Sequence, residues 1–353
     1  MQTKRGEEVL EPYDLDAVEF VGHGLARPEC ALAHRSGMIF APDWTQSGGV
    51  SCIYPDGTVR RHLVKTVADN ALDEPIRPNG ICLLEGGDFL LAHLGQEKGG
   101  VFRLSVEGTL SAELTHVDGM PLPPTNFVTI DEMHRTWITV STRQSPRALA
   151  YRHDVADGFV VLKDRSGARI AADNLGYTNE CMVHPNGRHL YVNETFARRL
   201  TRFDIAQNGR LTNPKTLARF GKGTFPDGLA FDGEGNAWIT SIVSNRVICV
   251  NENGSDVIFL EDVGADHLDW VEHAYSQHNM GRPHLDTAAG KRLHNISNLA
   301  FCGEQLDRAV LGCLLGEQLA VMDVPIAGHQ PVHWTFDISP LISALEAQPI
   351  LER

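Results

Sequence analysis

Six times along the chain a polar residue introduces four to six mostly apolar residues, a turn and a second short apolar strand. The copies begin at Glu29, Asn79, Asn126, Asn179, Asp227 and Asn298. They read ECALAHRSGMIFAPDW, NGICLLEGGDFLLAHLG, NFVTIDEMHRTWITVST, NECMVHPNGRHLYVNET, DGLAFDGEGNAWITSIV and NLAFCGEQLDRAVLGCL. The spacings between lead residues are 50, 47, 53, 48 and 71 residues. A period of about 40–50 residues is that of one four-stranded propeller blade. The repeat therefore predicts an all-β fold, a six-bladed β-propeller formed by the chain as a single domain.

The intervals support strands. Turn chemistry is explicit in GG at Gly86, PNG at Pro185 and GEG at Gly233, as expected of hairpins. Third and fourth strands follow in VFRLSVEGTLSAEL after Gly100 and VICVNENGSDVIFLED after Arg246. A repeating β/α architecture needs a helical segment of about ten residues or more per repeat, and the intervals hold Gly-rich turns instead. The 33 glycines and 18 prolines fit many short elements joined by turns.

The last interval exceeds the blade period by roughly twenty residues. The excess falls in 262–296, which carries five of the sixteen histidines: His267, His273, His278, His284 and His294. Within it, DHLDWVEHAYSQHN predicts a short helix. This partly helical insertion between the fifth and sixth blades reads equally well as a lid over one face or as a surface excursion.

Composition limits the partners. The formal net charge of −14, with no local basic patch, disfavours nucleic acid. The opening segment MQTKRGEEVLEPYDL shows no apolar leader, and no apolar run approaches membrane-spanning length. The seven cysteines are odd in number and form no CxxC pair, so reduced, buried thiols are expected rather than a disulfide framework. A soluble, cytoplasmic protein acting on a small molecule, with no nucleic-acid or membrane partner, is the expectation; the oligomeric state stays open.

The lead residues carry the chemistry. Equivalent positions of a closed ring converge on its axis, and all six leads offer side-chain oxygens: two carboxylates and four amides. Such a set suits a hard divalent cation better than zinc's preferred His and Cys donors. Asn and Asp also start turns, so any single lead is uninformative; six of six at one repeat position is not.

The pattern resembles the gluconolactonase and regucalcin (senescence marker protein) family of six-bladed propellers. The resemblance spans roughly residues 20–335, and is strongest in RPNG at 77–80, YTNECMVHPNGRHLYVNE at 177–194 and FPDGLAFDGEGNAWIT at 225–240. It implies one divalent cation in the central channel, calcium first, with zinc, manganese or magnesium as alternatives. It implies Glu29, Asn179 and Asp227 as ligands, with Asn126 on metal or substrate. Two motifs depart from the family. The first-blade motif reads RPECA, with Cys30 in place of Gly, and the third-blade Asn126 is followed by Phe127 rather than Asp. The substrate arginine that precedes the third-blade Asn by two is Pro124 here.

The implied activity is metal-dependent opening of a lactone, with Asp227 as general base or as nucleophile. His93, at the end of LLAHLG where related lactonases often place a His, is a second catalytic candidate as a proton shuttle. Asn79, Asn126, Asn298 and Glu194 are candidates for substrate contacts. Trp137 and Trp238, in equivalent TWIT and AWIT strands, are expected to pack the blades. No GxSxG elbow or phosphate-binding glycine loop occurs. The competing activities are an aryl-ester or organophosphate hydrolase in the same site and a non-catalytic propeller that binds a protein.

Overall fold

A computed structural model describes residues 10–347. Residues 1–9, on which the expectation about a leader partly rests, lie outside the described residues. Six antiparallel sheets of four strands, one with an added edge strand, form the blades of a propeller. The innermost strands are Leu32–Ala33, Pro78–Leu83, Phe127–Ile130, Thr178–Val183, Thr224–Phe231 and Ile296–Cys302. The ring is closed by exchange between the chain ends. The N-terminal strand Glu19–Val21 pairs antiparallel with Leu319–Asp323, Glu19 opposite Val321, and supplies the outer strand of the sixth blade.

Apolar side chains fill the spaces between neighbouring blades. One such layer joins Trp137, Val160 and Leu162 of the third blade to Cys181, Leu190 and Val192 of the fourth. Both tryptophans pack as expected, and the indole of each is fixed. Trp137 Nε1 donates to Asp131 Oδ2 at 2.8 Å, and Trp238 Nε1 to Asp232 Oδ2 at 2.9 Å. The same two aspartates accept backbone N–H bonds from the turn that follows them, so one buried carboxylate both closes the hairpin and anchors the blade's tryptophan. All seven cysteines are free and buried.

The inner strands approach so closely that a side chain at Gly228 has no room. A Cβ there would stand 2.5 Å from Asn298 Cα and 2.7 Å from Ser297 O. Gly228→Ala is therefore expected to cost about 2–3 kcal/mol by overpacking. Denaturant unfolding measures it; a variant within about 0.5 kcal/mol of wild type would mean that the fifth and sixth blades part without strain.

The long fifth interval contains α1 (Ala265–Ser276) and α2 (Arg282–Leu285). Tyr275 Oη donates to Phe196 O at 2.6 Å, and Glu272 accepts from Arg198 Nη2 at 2.7 Å and from Gly223 N at 2.6 Å. The insertion is thus bolted to the fourth and fifth blades. A final helix, α3 (Ser339–Glu346), buries Leu341 and Leu345 against Phe40 and Phe89. Among the described residues no helix is long and apolar enough to cross a membrane.

Candidate metal centre and substrate mouth

The pairing register explains how the leads reach the axis. In the second, fourth and fifth blades the inner strand bulges at the lead: between Pro78 and Ile81, between Thr178 and Cys181, and between Pro226 and Leu229. A bulge breaks the strict alternation of a strand and re-aims side chains. At these bulges Asn79, Asn179 and Asp227 leave the ladder, and all three are buried.

Glu29, Asn126, Asn179 and Asp227 line one cavity at an end of the channel. Arg27, Arg147 and Arg282 share its wall, together with Tyr151, Tyr177, Phe196 and Thr195. Leu285 and Arg282 of α2 also line it, so the insertion covers this mouth.

Each donor group is oriented. Asn179 Nδ2 donates to Thr195 Oγ1 at 3.1 Å, and Thr195 Oγ1 donates to Pro226 O at 2.8 Å; the Asn179 amide oxygen is the end left over. Asn126 Nδ2 donates to Ser141 Oγ at 3.0 Å, while its Oδ1 faces Asn79 Nδ2 at 3.4 Å. Arg27 Nη2 stands 2.9 Å from Glu29 Oε2, yet that oxygen is buried and receives no directed hydrogen bond. Burial, then the charges of Glu29 and Glu180, hold the Asp227 carboxyl well above the usual carboxylate range; Arg27 and Arg147 oppose the rise. Two buried carboxylates forced together, one with an unbonded oxygen, plus a free amide oxygen, form an oxygen-donor set that fits a hard divalent cation.

Glu180 was not among the residues singled out from sequence. It is fully buried beneath the mouth. Its Oε1 accepts from Asn298 Nδ2 at 2.8 Å and its Oε2 from Leu229 N at 2.8 Å. Burial pushes its carboxyl up to about 8 against those two bonds, and the charge of Glu29 adds to the rise. Strand alternation turns the residue after a lead away from the axis, which hides Glu180 from a sequence reading. The bulge at Thr178–Cys181 brings it back.

The other candidates are placed elsewhere. Asn298 has both amide ends committed, Nδ2 to Glu180 and Oδ1 to Ala31 N at 2.8 Å, and it borders a second cavity rather than the mouth. Asn79 stands one step behind Asn126 and does not line the mouth. His93 is fully enclosed: Nε2 meets Glu74 Oε1 at 3.1 Å and Nδ1 accepts from Arg77 N at 3.1 Å. Burial pulls its imidazole below the ordinary value. Glu194 is taken by Arg199 at 2.6 Å, Thr201 Oγ1 at 2.5 Å and Gly176 N at 2.6 Å. Neither His93 nor Glu194 lines the mouth. Conversely, Arg147, Arg282 and Tyr151 come from connecting segments that carry no repeat signal, while Arg27 and Tyr177 stand two residues before the leads Glu29 and Asn179.

The second cavity lies below Glu180, encloses about 180 Å³ and is walled mainly by apolar groups such as Ile81, Phe127, Leu229 and Phe301. Segment 329–333 and Phe336 close it. His333 belongs to that closure. Burial pushes its imidazole down to about 4, against a bond to the Ala33 backbone. An unfolded His binds its proton near pH 6.5, so the unfolded state takes up more protons between pH 6.5 and 4. Stability is expected to fall as pH drops through that window, by up to about 3 kcal/mol. Urea unfolding at several pH values checks this, and His333→Gln should flatten the slope; an unchanged slope would assign it to other groups.

A separate cluster on the rim joins insertion to blade. His278 Nε2 meets His153 Nε2 at 2.9 Å, with Asp154 Oδ1 3.9 Å from His278 Nε2.

The fold is similar to several solved structures. A gluconolactonase from Xanthomonas campestris superposes with a TM-score of 0.62 at 19% identity, over 86% of this chain and 88% of that one. A luciferin-regenerating enzyme gives 0.65 at 14% identity, over 89% and 98%. A calcium-binding regucalcin from Agrobacterium tumefaciens gives 0.63 at 13% identity, over 89% and 97%. The sequence model of the SMP-30/gluconolactonase/LRE-like region matches residues 55–260, more than half of the chain. With the six blades and the repeat that builds them, that match establishes that the chain belongs to the SMP-30/gluconolactonase/LRE-like family.

Proposed function

We propose that the protein is a metal-dependent hydrolase that opens a lactone. The observation that carries this reading is the meeting of Glu29, Asn126, Asn179 and Asp227 around one axial cavity. Glu29, Asn179 and Asp227 hold the cation, calcium in the first instance, and Asn126 contributes to metal or substrate. When bound, the cation supplies Lewis-acid polarisation of the ester carbonyl.

The chain's own groups do the rest. Asp227 takes a proton from the attacking water as its oxygen bonds to the carbonyl carbon. The ring C–O bond breaks, and the proton passes to the departing alkoxide oxygen, leaving a hydroxy acid. The same carboxylate is also placed to attack the carbonyl itself, giving an acyl intermediate that water then cleaves. Asn126, held by Ser141, orients a substrate oxygen. Tyr151, Tyr177 and Phe196 exclude bulk water from the ring side, and Arg282 and Leu285 of the insertion close over them as a lid.

A panel of lactones, aryl esters and phosphotriesters, each assayed with and without chelator, tests the reading. Chelator-sensitive opening of at least one lactone is expected. No metal-dependent hydrolysis of any member would overturn it. Single turnover in isotopically heavy water, run beside hydroxylamine trapping, separates the two roles of Asp227: as nucleophile it forms a mixed anhydride that hydroxylamine captures and that places label in the Asp227 carboxyl when water attacks there; as base it gives no trapped adduct and labels the product alone.

A further inference from the structure

The charges of the mouth do not balance around a divalent cation alone. Three guanidiniums line it. Arg282 is paired with Asp286 of its own turn. Arg147 has no such partner: among the described residues no carboxylate lies within ion-pair distance, and its recorded hydrogen bond runs from Nη2 to Ser141 Oγ at 3.2 Å. It rests over the Tyr177 ring, 5.6 Å from the centroid. Arg27 is held over Trp44 at 4.8 Å and faces Glu29. Both guanidiniums act on the Asp227 carboxyl, so both stand close to where the chemistry occurs.

A dication bound by Glu29 and Asp227 neutralises those two carboxylates. Arg27 then loses the net charge of its partner, and Arg147 never had one. Two positive groups remain in a site walled by Tyr151, Tyr177 and Phe196, where an uncompensated charge is expensive. The backbone bears out the placement of Arg27, which takes φ 57°, in the left-handed region. A non-glycine residue is held there only when its surroundings demand it. The Nη1 nitrogen of each arginine makes no hydrogen bond among the described residues, which leaves two charged donors for two acceptor oxygens.

We propose that the substrate carries a carboxylate beside its ester ring, and that Arg27 and Arg147 bind it at the mouth. This rests on the lactone-hydrolase reading and narrows it to anionic lactones. A planar carboxylate offers one oxygen to each guanidinium, whereas a neutral lactone leaves both cations unpaired.

The test uses the calcium-loaded full chain and γ-butyrolactone bearing either a ring carboxylate or the corresponding carboxamide. The carboxylate is expected to show a kcat/KM about 30–100-fold higher, as for a charge-assisted pair. Arg147→Met and Arg27→Gln should each collapse that ratio towards unity, and Arg147→Lys should restore part of it. Equal rates on the two rings, or a ratio untouched by both variants, would overturn the proposal while leaving lactone hydrolysis standing. If neither ring is opened, calorimetry with the open-chain hydroxy-dicarboxylate decides the matter independently of turnover. Binding to wild type that is lost in Arg147→Met upholds the anion site; no binding to wild type overturns it.

Discussion

Asp227→Asn is expected to abolish lactone opening, by about 10²–10⁴-fold in kcat, while making the metal-free protein more stable. The two effects have one origin. Burial and the charges of Glu29 and Glu180 raise the Asp227 carboxyl, so folding of the cation-free chain disfavours its ionised form. The sign follows from linkage: a carboxyl raised above its unfolded value binds protons more readily when folded, and ionising it at neutral pH costs stability. Removing the charge should return on the order of 1–3 kcal/mol. In wild type, added calcium should itself stabilise by about 4 kcal/mol at a thousandfold excess over Kd. In Asp227→Asn that increment should vanish. Thermal unfolding with and without calcium reads both numbers. A variant less stable than wild type without metal, or one that keeps the calcium increment, would remove Asp227 from the metal set. Glu29→Gln should lose the increment as well.

Arg198→Ala is expected to release the insertion. The guanidinium lies between two rings, 4.2 Å from the Phe225 centroid and 4.0 Å from that of Tyr275, and pairs with Glu272 at 2.7 Å. Both partners of the ion pair are largely buried, so deleting one leaves Glu272 enclosed without its counter-charge. Such losses cost about 3–5 kcal/mol. The cost should be local, because the contacts of the α1–α2 segment with the blades, the Arg198–Glu272 pair, Tyr275, the His278–His153 contact and the apolar group around Val271 and Leu285, all lie on one side of the ring. Limited proteolysis should then cut within 265–290 while the ring stays intact, and KM should rise more than kcat falls. Cleavage no faster than in wild type would show that the apolar contacts alone retain the insertion.

The ring was legible in the sequence because every blade needs the same turn chemistry and the same apolar alternation. The spacing of the leads therefore reported the architecture directly. The helix α1 was legible in DHLDWVEHAYSQHN, within the interval that breaks the period. The metal-type leads Glu29, Asn126, Asn179 and Asp227 meet at one cavity. Asn298, an equivalent lead, is instead consumed by Glu180 and the Ala31 amide. Repeat position alone does not report whether a side chain has spare hydrogen-bonding capacity. His93 and Glu194 sit at matching strand ends, but each is saturated by neighbours from other segments. Glu180 was hidden by a bulge, and Arg147 and Arg282 by their place in connections of irregular length. These are long-range facts of packing, with no local pattern to announce them.

The exchange of strands at the ring's seam also bears on the order of events during synthesis. Glu19–Val21 leaves the ribosome first, yet its partner Leu319–Asp323 is made roughly 300 residues later. Closing so long a loop costs little more entropy than closing a shorter one, because the penalty grows only logarithmically. It does, however, place the step last. Until then Glu29 of the first blade has no wall to lean on, since Gly312 of the sixth must lie against its backbone. The nascent chain therefore carries five blades with an unfinished axis, and the cavity lined by Glu29, Asn126, Asn179 and Asp227 is completed only by the final blade.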